Sequence, residues 1–389
     1  MRLLVVGHSY ITAFAQAKYA AMKRLAPDLE LLLIIPPRVY HPFMTYRPEV
    51  APGLASSEVV CVPTLFGRST MTYLLDPRRL AGLLREFSPD RIHIEEDPHS
   101  FVGVETVLLS RRQCPDAKVS FFIWDNLNRS PRFPVNVLKR VLTRYALACA
   151  SDVVCGNTEG QRLLKDKGYN GSSAILPQIG LEASEYMQPP RAELMAAIRG
   201  EDRDGVVIGY VGRLVPEKGI LTLLEALSGI GECQWRLVLL GQGPLREKLE
   251  RQWKPRMGQR LVLMDAVSHG AVAECMKCFD VFVLASHKTS RWTEQFGLAL
   301  AQAMMAGVAC VGSSSGAIPE VLAGTGLLVQ ERDAVALREA LRRLISCPED
   351  RKSLGRAARE LARAHYTNEV IAAAYLRVFE GLREPAEGD

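Results

Sequence analysis

The sequence predicts an α/β protein made of two doubly wound domains. Three observations carry that expectation. Short apolar runs alternate along the chain with longer stretches of helical period. The runs are apolar on both faces, as strands of a parallel sheet covered by helices must be. The alternation breaks once, over the proline-bearing, charge-rich stretch 185–205, and then restarts. A chain of 389 residues has room for two domains of ordinary size.

In the first half the strand candidates are 2–7, 29–36, 57–63, 91–96, 118–124, 152–157 and 173–178, with helical stretches at 13–25, 77–87, 101–113 and 136–149. "EYMQPPRAELMAAIRGEDRDG" has no strand pattern and reads as a linker with one short helix. Strand candidates resume at 205–212, 235–241, 260–267, 281–286, 307–313 and 326–330. Helices are expected between them at 218–228, 244–253, 270–277, 297–306 and 317–322, then at 333–346, 349–364 and 368–382. The expected division is 1–187 as an N-terminal domain, 188–204 as a linker and 205–365 as a C-terminal domain, with the last helix, 366–389, packing back on the first domain.

Composition bounds the function. The chain is 48% hydrophobic and 23% charged, the balance of a globular protein with an ample core. Its net charge of +5 suits an anionic small ligand or a membrane surface and does not call for nucleic acid. No run approaches the ~18 apolar residues of a membrane span. "MRLLVVGHSY" reads as a first strand rather than a signal peptide. Nine cysteines without regular spacing suggest reduced thiols and a cytoplasmic setting. Cys275 and Cys278 form a CxxC with helical flanks and no second pair, so a packing role is expected.

Four stretches carry chemistry. "YVGRLVPEKGI" ends a strand in Gly212 and places Arg213 and Lys218 before a helix. Two such cations suit a diphosphate clamp, and they suit a solvated loop equally well. "LLGQGPLREKLE" is another strand, glycine turn and helix, where Gly241 and Gly243 permit close backbone approach. "RWTEQFGLALAQAMMAG" puts Glu294 before a helix start at Phe296–Gly297, whose free N–H groups attract anions. Gln302 lies about 12 Å further along that helix. One ligand reaches both residues only if it is long, such as a nucleoside diphosphate joined to a sugar. "SSSGAIPEVL" is a further small-residue turn into a helix.

In this order the motifs resemble those of retaining glycosyltransferases of family 4, over most of 205–365. The resemblance implies the GT-B fold, with two Rossmann-like domains facing across a cleft. It implies that Arg213 and Lys218 hold the donor diphosphate and that Glu294 meets donor-sugar hydroxyls. Backbone amides at Phe296, Gly297 and Leu298 would meet sugar and phosphates, and Val267 would lie near the base. The family motif is Glu, seven residues, Glu; position 302 matches the second Glu, the usual ribose ligand, and is Gln here.

The N-terminal domain matches less closely. Many family members have a Gly-Gly turn after the first strand. Here the turn is "GHSYITAF", leaving Gly7 for close approach to phosphate, with His8 and Ser9 after it. Where many members place a sugar-contacting His, this chain has Glu95, Glu96 and Asp97, with His93 and His99 nearby. His8, Glu95, Glu96 and His99 are therefore expected on the acceptor or sugar side. "WDNLNR" adds Trp124 to stack on a sugar, with Asp125 and Asn126 as polar contacts; core packing of the Trp is the alternative reading. Arg132, Lys139, Arg140 and Arg144 lie among apolar residues at helical spacing, a pattern of anionic-lipid contact as well as of a solvated basic face.

The expected function is a retaining, metal-independent hexosyltransferase of carbohydrate biosynthesis. It would move a sugar from a nucleoside-diphosphate sugar to a hydroxyl of a glycan, lipid-linked or small-molecule acceptor. No cofactor is expected, and the chain is expected to be cytoplasmic; a solvated basic helix is the leading reading and peripheral membrane contact through that helix the alternative. The rival readings are another GT-B enzyme, an epimerase or phosphorylase, and a non-catalytic nucleotide-sugar-binding protein.

Overall fold

The structure is a computed structural model, and it describes residues 1–381 apart from 42–43, 67–68, 70, 129–132, 201–204 and 232–233. The chain divides into two compact units, Met1–Gly180 with Asn368–Asp389, and Leu181–Thr367.

The first unit holds a parallel sheet of seven strands: β1 (Arg2–Val6), β2 (Glu30–Ile35), β3 (Val59–Cys61), β4 (Arg91–Ile94), β5 (Lys118–Ile123), β6 (Asp152–Cys155) and β7 (Ser172–Ile175). Their order across the sheet is β7-β6-β5-β4-β1-β2-β3. The second unit holds six parallel strands: β8 (Val206–Val211), β9 (Trp235–Leu240), β10 (Leu261–Met264), β11 (Val281–Leu284), β12 (Ala309–Ser313) and β13 (Leu327–Val329), ordered β10-β9-β8-β11-β12-β13. In both sheets the winding runs outward one way from the first strand, then restarts on its other side. The crevice at that reversal, beyond the carboxyl ends of the strands, is where such sheets bind ligands. It lies beside β1 and β4 in the first unit and beside β8 and β11 in the second.

Alternate residues of β1 enter different cores. Leu4 and Val6 join Ile92, Ile94 and Leu80 on one face, while Leu3 and Val5 join Leu31, Leu33 and Tyr375 on the other. That two-sided burial is why the strands read as unbroken apolar runs. The connecting helices start where short polar side chains accept N–H bonds of the first turn, at Thr12, Asp76, Ser100 and Asn157.

Several expectations need revision. The units part at 180/181, not at 187/188. The short helix expected in the linker stretch is present as Ala192–Arg199, but the stretch belongs to the second unit, held by an Arg199–Asp280 ion pair of 2.8 Å. Residues 201–204 of that stretch, and 382–389 of the C-terminal segment, lie outside the described residues. The helix Thr158–Asp166 and two small hairpins, Val39–His41 with Met44–Tyr46 and Thr64–Leu65 with Leu74–Leu75, were not legible. The helix expected at 244–253 is instead three short pieces with a π turn, Leu249–Trp253, before Pro255. The C-terminal helix, Asn368–Glu380, packs on Ala13–Leu25 within the first unit.

Between those two helices and the sheet lies a fully buried charge pair. Lys18 Nζ donates to Glu95 Oε1 at 2.7 Å, and both side chains are wholly enclosed. The same carboxylate accepts from the hydroxyls of Tyr10 and Tyr19 and, at 2.8 Å, from Gln178 Nε2. The ammonium also lies 3.9 Å from the Tyr375 ring centroid, on the C-terminal helix. Burial lowers the Lys18 pKa to about 8 against the pull of Glu95. Burial would raise Glu95, but Lys18 and His93 hold it well below the usual carboxylate range. Removing one partner of such a pair strands the other charge. Lys18→Met is therefore expected to cost about 3–5 kcal/mol in urea unfolding, with Lys18→Met/Glu95→Gln recovering much of the loss.

Candidate functional site

The polar residues of the second unit gather at its strand reversal. β8 ends at Val211, and Gly212 and Arg213 follow, the Arg213 carbonyl accepting from Tyr210 Oη at 2.6 Å. The Arg213 guanidinium makes no hydrogen bond or ion pair among the described residues. Lys218 closes a single 3₁₀ turn, Pro216–Lys218, and Gly219 (φ 70°) opens the next helix. A Cβ at Gly219 would come within 1.8 Å of the Ala285 carbonyl, so only glycine lets the Lys218 turn lie against the end of β11. His287 N donates to the Glu217 carbonyl at 2.9 Å and ties the two loops together.

Glu294 stands in the loop after β11. Its Oε2 accepts from Lys218 Nζ at 2.7 Å and from Ser286 Oγ at 2.8 Å. Its backbone carbonyl accepts from Ala317 N at 3.0 Å, and a Cβ at Gly316 would lie 2.1 Å from that carbonyl. The "SSSGAIPEVL" turn is thus the support of Glu294. The helix Leu298–Ala306 begins after Gly297 (φ 82°) with no side chain capping its first turn. Phe296 is spent on packing, edge-on to Tyr366 at 5.5 Å.

Other expected donor residues fall differently. At Gly241 a Cβ would meet the Gly212 carbonyl at 1.9 Å, and at Gly243 the Leu214 carbonyl at 2.4 Å. These glycines allow the two strand-end turns to pack on each other, so their close approach is chain to chain. β10 stops at Met264, leaving Val267 in the loop beyond it and 37% exposed. Gln302 is buried on the helix beside Tyr186, where its amide slightly opposes the rise that burial imposes on the phenol. Its Nε2 nevertheless makes no hydrogen bond among the described residues, and a buried polar atom in that state requires an explanation.

The first unit also gathers polar groups at its reversal. The adjacent carboxylates after β4 part company. Glu95 is locked inside, as described, which removes it from the acceptor-facing set. Gly7 serves the same inward packing: its backbone is extended, and a Cβ there would come 2.9 Å from Glu95 Cβ. Glu96 turns the other way. Its Oε1 accepts from His8 N at 2.8 Å, from Tyr73 Oη at 2.8 Å, and meets His8 Nδ1 at 2.7 Å. The His8 side chain remains 26% exposed. Burial works against its proton, but the charge and hydrogen bond of Glu96, then Asp97, raise its pKa. An imidazole oriented through one nitrogen by a carboxylate is able to exchange a proton, or donate a hydrogen bond, through the other.

Asp97 is pushed up to about 6 by burial and by Asp125 and Glu96. Trp124 Nε1 donates to Gln178 Oε1 at 2.9 Å, which joins the indole to the Glu95 network. Asp125 and Asn126 are buried, with Asp125 3.8 Å from Lys139, and His99 is half-buried. Tyr73, Gln178 and Trp292 had no legible signal, because each acts through a contact distant in sequence; Ser286, eight residues before Glu294, was not singled out. His93 is enclosed and bonded to Ser120 Oγ at 2.8 Å.

The basic helix is Val135–Ala148. Lys139, Arg140 and Arg144, with Lys167 and Tyr169, line a cavity of about 860 Å³. Val137, Leu138 and Val141 are exposed along the same helix. Arg132 lies outside the described residues. Among the described residues no helix is long and apolar enough to cross a membrane, and no His/Cys/Asp/Glu cluster is spaced to hold a metal. Cys275 and Cys278 are buried, and burial pushes both thiols up to about 11, far from the reactive thiolate range.

The His8–Glu96 geometry is directly testable. The His8 ring is expected to titrate above 6.5 in the wild type and at or below that value in Glu96→Gln. NMR titration of the imidazole Cε1–H would read the difference, and coincident curves would refute the assigned coupling.

Comparison with known proteins places these observations. Residues 193–361 match the family described as Glycosyl transferases group 1. A sulfoquinovosyl transferase of Arabidopsis thaliana is 30% identical over 166 residues, 41% of this chain and 30% of that protein. A phosphatidyl-myo-inositol mannosyltransferase of Mycobacterium leprae is 29% identical over 218 residues, 54% of either chain. The chain thus spans about half or less of these relatives' length. Among solved structures, HepE of Anabaena in complex with UDP superimposes with a TM-score of 0.74 at 16% identity, covering 98% of this chain and 100% of that one. At that identity the likeness establishes the fold. Residues 193–361 are accordingly similar to the glycosyl transferases group 1 family, on a chain of two parallel-sheet α/β units with the GT-B fold.

Proposed function

We propose that this protein is a retaining, metal-independent glycosyltransferase that takes its sugar from a nucleoside-diphosphate sugar. The observation that carries the reading is the cluster at the strand reversal of the second unit. There Arg213, unpaired among the described residues, the Lys218–Glu294–Ser286 group and an uncapped helix start converge. As the glycosidic bond breaks, charge grows on the leaving diphosphate. Arg213, Lys218 and the N–H groups at Gly297–Leu298 are the preorganised donors for that charge, taking the role a metal plays elsewhere. Glu294 then accepts from donor-sugar hydroxyls, and the diphosphate takes the acceptor's proton on the face it leaves. The group 1 match of residues 193–361 supports the reading, as does a fold neighbour solved with UDP.

Gln302 is assigned to the ribose. Its orphaned Nε2 is consistent with a partner that arrives with the ligand. A neutral amide supports about 1 kcal/mol per hydrogen bond against ~1.5–3 for a carboxylate, so the ribose is held less tightly than by the usual Glu.

The acceptor is assigned to the first unit, with His8, Trp124 and Asn126 beside it. A lipid-linked acceptor fits best. Two relatives are named for acting on such molecules, the M. leprae mannosyltransferase and an Escherichia coli UDP-Gal:α-D-GlcNAc-diphosphoundecaprenol α-1,3-galactosyltransferase, 24% identical over 242 residues. The helix Val135–Ala148, with apolar and basic stripes side by side, has the make-up of a peripheral membrane contact. A non-catalytic nucleotide-sugar-binding protein is the second reading, favoured by Gln302 alone. Binding of a nucleotide sugar without hydrolysis or transfer would select it.

A thermal-shift panel of UDP, GDP and ADP sugars, followed by transfer assays, tests the assignment. Arg213→Ala is expected to lower turnover about 10²–10³-fold while leaving the melting temperature unchanged, because its guanidinium pairs with nothing among the described residues. Near wild-type transfer would sink the clamp. Lys218→Ala is expected to be as inactive and also less stable, since it strands Glu294.

Membrane contact has its own test. Arg140→Glu/Arg144→Glu is expected to lose sedimentation with vesicles of phosphatidylglycerol and phosphatidylcholine, and the wild type to lose it at high salt. Equal sedimentation of both proteins would overturn the contact.

A further inference from the structure

Lys218 has two partners of different kinds. Glu294 neutralises it at 2.7 Å. Trp292 does not: its ring centroid lies 4.8 Å from Nζ. The Trp292 backbone is held by a tight turn, in which Trp292 N donates to Thr289 Oγ1 at 2.9 Å and Thr289 N to the Trp292 carbonyl at 2.8 Å. Arg291 N donates to the same Thr289 hydroxyl at 3.2 Å. The turn also reaches Glu331, whose carboxylate accepts from Lys288 N at 3.1 Å.

A diphosphate arriving at this cluster competes with Glu294 for the ammonium, because both are anions that need its N–H groups. It does not compete with Trp292, because the attraction of a cation to a ring face consumes no N–H group and neutralises no charge. Glu294 is also retained by Ser286, which keeps donating to it when Lys218 leaves.

We propose that Trp292 is a positioning residue for phosphate recognition: it keeps the Lys218 ammonium charged and in place while Glu294 releases it to the diphosphate and turns to sugar hydroxyls. The proposal rests on the reading of this cluster as a diphosphate site. It makes the Lys218–Glu294 pair an exchangeable resting contact and the Lys218–Trp292 contact a permanent one. Occupation of the phosphate position is thereby coupled to freeing of the sugar-binding carboxylate. The turn chemistry of Thr289 belongs to the same device, since it fixes the backbone from which the ring projects.

The test uses the full chain, with Trp292→Phe and Trp292→Leu, and titrates UDP and uridine by competition against a fluorescent uridine nucleotide. Trp292→Leu is expected to lose about tenfold in UDP affinity with uridine unchanged, and Trp292→Phe, which keeps an aromatic face, to stay within about threefold of wild type for both. Wild-type tryptophan emission is expected to change on adding UDP, and Trp292→Phe to lose that change. Equal UDP affinity in Trp292→Leu and wild type would overturn the role of Trp292. So would an equal loss for UDP and uridine, which would mark a merely structural residue. If the wild type binds none of UDP, GDP or ADP, the nucleotide-site reading itself fails and this proposal with it. If it binds GDP or ADP instead, the same comparison is made with that nucleotide and its nucleoside.

Discussion

The reversal of strand order beside β1 and β8 is the constraint on which the polar architecture depends. A parallel sheet buries both faces, so its strands offer no room for chemistry along their length. Only their carboxyl ends, at the place where successive connections diverge, leave an opening with unspent backbone groups. Both candidate clusters occupy such openings. Arg213 follows β8 and the Ser286–Glu294 loop follows β11; His8 follows β1 and Glu96 follows β4. Residues more than seventy positions apart are brought into hydrogen-bond contact because their strands are neighbours.

Glycine makes these openings tight. At Gly219, Gly241 and Gly316 a side chain would strike a backbone carbonyl at about 2 Å or less. None of those carbonyls belongs to a ligand. The glycines allow one loop to lie directly on another, and that close packing brings Lys218 to Glu294. Preorganisation of a charged site is thus a property of its supporting turns as much as of its charged residues.

The pair Glu95–Glu96 shows how the same residue type takes opposite roles through alternation. Successive side chains of an extended segment point to opposite sides. Glu95 consequently enters the face covered by the helices Ala13–Leu25 and Asn368–Glu380, where Lys18, Tyr10, Tyr19 and Gln178 satisfy it. Glu96 emerges toward His8 and Tyr73. A buried ion pair contributes little net stability, but its loss on one side is costly. Its position ties the C-terminal helix to the unit that the chain left nearly two hundred residues earlier.

The strands, most of the helices and the doubly wound class were legible from sequence because period and two-sided apolarity are local properties. So were the chemical identities of Arg213, Lys218 and Glu294, whose spacing from strand ends and turns is local too. The split at residue 180, the membership of the linker helix in the second unit, the inward fate of Glu95 and the partners Tyr73 and Trp292 were not. Each depends on which strand neighbours which, and on which of two faces a side chain meets. The sequence by itself determined the elements and the residues able to carry charge at their ends. Only the tertiary structure decided which of those charges are neutralised in the interior and which remain at an opening, because burial and pairing are set by residues far away along the chain.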